Sequence, residues 1–137
     1  MSGRLTTEYT DNSEGAFGRT GAIGDKGEIV ALHILQELGF DVTHFPNDRL
    51  KQDAGHDLEI NSTDKVAGVD VKTNLHTGHD VCVDWPKLKK SEATFWFHLN
   101  PDDPSDYIMY KVKDMKNYIK SYKGKLYWVE RDIANNL

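Results

Sequence analysis

Glu28, Asp57, Asp70 and Lys72 are the residues of this 137-residue chain whose types and spacing point to chemistry. Asp70 and Lys72 lie two apart in Val66-Ala67-Gly68-Val69-Asp70-Val71-Lys72. That run alternates like a strand, so the acid and the amine leave one face while Val69 and Val71 turn to the core. His56-Asp57-Leu58-Glu59-Ile60 precedes it, separated by the polar run Asn61-Ser62-Thr63-Asp64-Lys65. A hairpin turning between Thr63 and Asp64 pairs Leu58 with Val69 and Ile60 with Ala67, apolar on apolar, and sets Asp57 opposite Asp70. Two carboxylates so close repel each other, and a divalent cation or a shared proton relieves them. Hard oxygen donors suit Mg²⁺, which takes one or two carboxylates and fills its octahedron with water and phosphate oxygens. Mn²⁺ is expected to substitute. The chemistry that follows is hydrolysis of a phosphodiester: the cation polarises a phosphoryl oxygen and acidifies a water, while Lys72 orients that water or stabilises developing negative charge.

The elements that must position these groups are also legible. From Asp25, apolar residues at Ile29, Leu32, Leu35 and Leu38 recur at helical spacing, and Gly39 ends the pattern. Asp41 to Phe45 alternates like a strand and stops at Pro46-Asn47-Asp48. Beyond a polar loop and the hairpin, Trp85 to Glu92 reads as a short helix. Thr94 to Leu99 reads as a strand buried on both faces. Pro101-Asp102-Asp103-Pro104 breaks the chain, Tyr107 to Val112 is a strand, Lys113 to Tyr122 a helix, and Lys125 to Glu130 a last strand or extended tail. Residues 1–22 are rich in Gly, Ser, Thr and Asn and read as a mobile arm or irregular lead-in, leaving 23–137 as one domain. The order predicts a mixed α/β fold with a central sheet flanked by helices.

The helix bearing Glu28, then Gly55-His56-Asp57, then Asp70-Val71-Lys72-Thr73, resembles the PD-(D/E)XK nuclease superfamily over roughly residues 24–112. The resemblance implies a restriction-endonuclease-like core. It also implies that Asp57 takes the first motif carboxylate, Asp70 the second acidic position, Lys72 the motif lysine, and Glu28 the glutamate many members carry on the first core helix. By the same analogy the metal ligands are Asp57, Asp70 and the backbone carbonyl of Val71, with Glu28 as an optional further one. The activity implied is Mg²⁺-dependent endonucleolytic cleavage of DNA. Two departures stand out: Ala54-Gly55-His56 occupies the place where a proline commonly precedes the first acid, and the second acid is Asp where Glu is commoner. The run from Gly27 to Val42 is similar to Holliday-junction resolvases, which makes a structure-selective resolvase an alternative and a homodimer a further expectation. Those resolvases are usually basic, however, and this chain is acidic.

A hydrophobic share of 38% and a charged share of 28% belong to an ordinary globular chain and exclude wholesale disorder. No apolar run reaches the roughly 20 residues that span a bilayer. Met1 to Glu8 lacks the apolar core of a secretory signal, and with the lone Cys82 this leads to an expected cytoplasmic location and no membrane partner. The net charge of −5 disfavours binding to phosphate. It is uneven, though: residues 1–80 carry 7 basic and 14 acidic side chains, and residues 81–137 carry 10 and 8. Lys87, Lys89, Lys90, Lys113, Lys116 and Lys120 are the expected DNA contacts, set against the plainer reading of a solvated face.

Competing readings attach to the same residues. Asp25-Lys26-Gly27-Glu28 fits a helix capping box, which would make Glu28 structural. Glu59 shares a strand face with Asp57 and is either an added ligand or an exposed carboxylate. His76, His79 and Cys82 are competent zinc ligands without a fourth at a convincing spacing, and would make a zinc-stabilised interaction domain. His33, His44 and His98 fall on core elements and read as packed imidazoles. The last alternative is an inactive nuclease-fold module that binds nucleic acid or protein.

Overall fold

The computed structural model describes residues 16–137 apart from 47 and 121, with side chains from residue 26 onward. It begins on a 22-residue helix, α1 (Ala16–Glu37), so the helix starts well before Asp25. Asp25 therefore lies inside the helix and cannot be its N-cap, which removes the capping-box reading of Glu28. It also places residues 16–22, expected to be irregular, in helix; residues 1–15 lie outside the described ones. The helix ends as expected. Gly39 takes φ 99°, its amide donates to Gln36 O, and Phe40 N donates to Leu35 O, the paired bonds of a glycine-terminated helix.

Strand β1 (Asp41–His44) follows, then a one-turn helix, α2 (Arg49–Asp53), where only a polar loop was expected. Asp48 makes α2 possible by accepting from Lys51 N through its side chain at 3.0 Å. Next come β2 (Leu58–Asn61), β3 (Val66–Lys72), β4 (Val81–Asp84), α3 (Trp85–Lys90), β5 (Phe95–Leu99), β6 (Tyr107–Lys111), α4 (Val112–Ile119), β7 (Leu126–Val129) and α5 (Arg131–Asn135). Among the described residues, β1, β2, β3, β5 and β6 form one sheet in that order, while β4 and β7 form a separate pair. The β2–β3 hairpin has the predicted register, Leu58 against Val69 and Ile60 against Ala67. At the centre β3 and β5 run parallel, with Asp70 beside Trp96 and Lys72 beside His98.

Alternation along β3 and β5 divides the interior in two. Leu58, Val69, Phe97 and Leu99 pack with Ala31 and Leu35 of α1; each such fully buried large side chain contributes about 1.5–3 kcal/mol. Trp96, Ile108 and Tyr110 turn to the other face, against Leu88, Met115, Val81, Val83 and Val129. As predicted, β5 is buried on both faces. Strand β7, expected as a last strand or extended tail, pairs with β4, and β4 and helix α5, both absent from the sequence reading, close this second layer with it. Gly27 lets α1 approach β3, because a methyl group there would overlap the side chain of Thr73. Glu28 is thereby carried close to the open end of the β2–β3 hairpin. No helix among the described residues is long and apolar enough to cross a membrane.

Candidate active site at the open end of the hairpin

Asp57 is the residue before β2, and its main chain is tied in on both sides. Its amide donates to Val69 O at 3.0 Å, and its carbonyl accepts from Phe45 N at 3.0 Å. Its Oδ2 accepts from Val71 N at 2.9 Å. Asp57 and Asp70 lie side by side at the open end of the hairpin, one step beyond the Leu58–Val69 pair, and each perturbs the ionisation of the other. Lys72 Nζ lies 3.4 Å from Asp70 Oδ1 and 4.5 Å from the centre of the Trp96 ring. Asp57, Asp70 and Lys72 thus come together as the strand alternation and hairpin register required. Glu28 arrives from α1 and is close enough for its charge to oppose ionisation of Asp57; its Oε1 is bonded to His44 Nε2 at 2.8 Å.

Burial dominates the electrostatics. It pushes the Asp70 carboxyl up to about 6; Lys72 pulls the other way and the neighbouring Asp57 adds to the rise. Burial likewise raises Asp57, against the Val71 amide that favours its ionised form and with Glu28 reinforcing the rise. Two desolvated acids set side by side are both held toward their protonated forms. Glu59 behaves differently. Burial pushes it up, yet Lys51 Nζ at 2.7 Å and His56 Nδ1 at 2.9 Å outweigh that and hold it below the ordinary range. It is a satisfied carboxylate in its own network, so neither of its two sequence readings holds.

A cleft of ≈ 420 Å³ opens beside Asp70 and Lys72, lined also by the α2 exit at Gln52 to Gly55, by Lys87, Lys90 and Ser91 of the α3 region, and by Trp96. That volume lies within the ordinary range of ligand sites. The positive φ of Gly55, 89°, is why glycine stands here, and a methyl group on it would come into ordinary contact with Asp70 Oδ2 at 3.5 Å. The lysines separate by place. Lys87 and Lys90 face the cleft, whereas Lys89 stands 5.7 Å over the Trp85 ring. Lys116 Nζ donates to Ser91 O at 3.4 Å. Lys113 borders another hollow with Lys65 and Lys111. Lys120 follows the end of α4 with φ 58°.

Behind the site, His98 is fully buried and its pKa is pushed down to about 3 by burial, with Lys72 adding to the fall. It is a neutral imidazole, donating from Nδ1 to Asn74 Oδ1 at 2.7 Å and accepting at Nε2 from the Tyr110 hydroxyl at 2.7 Å. The packed reading of His98 therefore holds. His76 and His79 have ring centroids 6.2 Å apart, and their carbonyls are held by Arg131. Cys82 sits in β4 opposite Trp128. Among the described residues no three His, Cys, Asp or Glu side chains gather as a metal cluster. This removes the support for zinc at His76, His79 and Cys82, and it limits the site's close-set acids to a pair. Trp96 and Ser91 were missed by sequence reasoning, because only the parallel register of β5 and the approach of α3 bring them to the cleft beside Asp70.

The fold and this acid pair define a mixed α/β protein with a carboxylate-and-lysine cleft beside the central strands β3 and β5 of its main sheet. Among solved structures, that of a bacterial homing endonuclease, I-Ssp6803I, is similar in fold, with a TM-score of 0.56 at 18% identity over 81% of this chain and 75% of that one. No protein-family model matches the chain, and no curated protein matches it in sequence.

Proposed function

We propose that the chain is a Mg²⁺-dependent endonuclease of the PD-(D/E)XK kind that hydrolyses DNA phosphodiester bonds. The observation that carries this reading is the placing of Asp57 beside Asp70 by the hairpin register, with Lys72 Nζ at 3.4 Å from Asp70, in a cleft flanked by Lys87 and Lys90. The fold likeness to a homing endonuclease supports it. The donor set fits the cation: two hard carboxylates, both raised by burial, are what Mg²⁺ takes when water and phosphate oxygens complete its shell. Val71 turns its N–H toward Asp57, and in an extended strand the carbonyl of the same residue faces the same edge. Asp57, Asp70 and that carbonyl would hold the ion, with Glu28 beside them. When bound, Mg²⁺ supplies Lewis-acid polarisation of the phosphoryl oxygen and lowers the pKa of a water.

The chain's own residues do the rest. Lys72, steadied over the Trp96 face, directs an ammonium at the acid pair, where it orients the attacking water or offsets the charge that develops on phosphorus oxygens. Lys87 and Lys90 contact backbone phosphates and set the position of the strand without reading its sequence. The experiment is incubation with plasmid and branched DNA in Mg²⁺ or Mn²⁺. Cleavage by the wild type that is lost in D70A supports the proposal, and full cleavage by D70A overturns it. A preference for branched DNA would place the enzyme with the structure-selective resolvases.

A further inference from the structure

The end of β1 touches both acids that come from outside β3. His44 Nε2 donates to Glu28 Oε1 at 2.8 Å, with the two side chains only 17% and 14% exposed. The next residue, Phe45, donates its amide to the Asp57 carbonyl at 3.0 Å. The carbonyls of Phe45 and Pro46 each accept from Gln52 Nε2 at 2.7 Å, which stitches the exit from β1 onto α2. One short stretch of chain thus holds Asp57 by its main chain and Glu28 by an imidazole. Glu28 and Asp57 are thus fixed from the adjacent residues His44 and Phe45, so the imidazole sets where the Glu28 carboxylate points beside Asp57.

We propose that His44 is a positioning residue that aims the Glu28 carboxylate at Asp57, so that cation binding depends on an imidazole outside the ligand set. This rests on the metal-dependent reading above. A histidine present for packing alone would be replaced by an apolar side chain without effect on the acids; one that acts through its N–H would not. Gln places an amide nitrogen near the Nε2 position and keeps the donor, whereas Leu fills the space and removes it.

The test is Mn²⁺ calorimetry on the full chain together with crystal structures of the variants. H44L is expected to weaken Mn²⁺ binding about tenfold and H44Q to stay within about threefold of wild type, the scale of outer-shell effects on metal sites. The double variant H44L/E28Q should bind Mn²⁺ no more weakly than E28Q, because the effect passes through Glu28. In the H44L crystal structure the Glu28 carboxylate should have rotated from its wild-type place, and H44F serves where H44L does not fold. Unchanged Mn²⁺ affinity in H44L, additive effects in the double variant, or an unmoved Glu28 would each overturn the inference. Loss of Mn²⁺ binding in D57N and D70N alongside full binding in H44L removes the role of His44 and leaves the metal reading intact. If the wild type binds no Mn²⁺ the metal reading fails, and the inference, which rests on it, falls too.

Discussion

Asp57 and Asp70 stand side by side at the open end of one hairpin, just beyond the Leu58–Val69 pair, and burial pushes the Asp70 carboxyl up to about 6. A folded-state pKa above the unfolded value means that the native protein holds the proton more tightly than the unfolded chain does. The stabilisation is fully present below about pH 4, the unfolded range of Asp, and is lost as pH rises through about 6. Asp70→Asn, neutral at every pH, should therefore stabilise the cation-free protein by about 2 kcal/mol at pH 7.5, and by far less at pH 4. Urea denaturation in a chelator at both pH values checks this, and a D70N protein less stable than wild type at pH 7.5 would contradict it.

Lys72 lies beside Asp70 and over Trp96, and under the proposed function its charge acts on the reaction. Lys72→Gln is expected to lower kcat by about 100-fold, the effect of removing one preorganised stabilising group, with a much smaller change in KM. Mn²⁺ binding should persist, since Asp57 and Asp70 remain. Equal losses in kcat and in Mn²⁺ affinity would place Lys72 in metal binding instead.

Two glycines with similar backbones differ in what surrounds them. Gly39 has φ 99° and nothing within 4 Å of a notional Cβ, whereas the Cβ of an alanine at Gly55, φ 89°, would lie 3.5 Å from Asp70 Oδ2. Both Gly→Ala changes should cost about 1–2 kcal/mol of stability through left-handed strain. Only Gly55→Ala should also depress cleavage when both are assayed well below their melting temperatures. A matching loss of activity in Gly39→Ala would show that the Gly55 effect comes from instability.

Lys87 and Lys90 line the cleft and Lys113 and Lys120 do not. Replacing Lys87 or Lys90 by Ala should lower the slope of log affinity against log salt by about 1 each, as expected for lost phosphate contacts, and weaken binding evenly across DNA sequences. Lys113→Ala and Lys120→Ala should leave the slope near that of wild type. Fluorescence anisotropy over a salt series distinguishes the two sets.

How much of this was legible in the sequence follows from how local each interaction is. The hairpin register is written in a period-two alternation around one short turn, and a slip of a single residue would carry Leu58, Val69 and Ile60 to the wrong face. Asp57, Asp70 and Lys72 could therefore be placed together from the sequence. The end of α1 was equally plain, since Gly39 alone serves the left-handed position there. Its start was not, because glycines at 18, 21 and 24 imitate a loop. The pairing of β4 with β7, the parallel register that sets Trp96 beside Asp70, and the reach of His44 to Glu28 had no local signature. Each joins segments separated by 16 residues or more, and their choice of partner is made by burial across the whole core, after the hairpin has turned its two acids to one side.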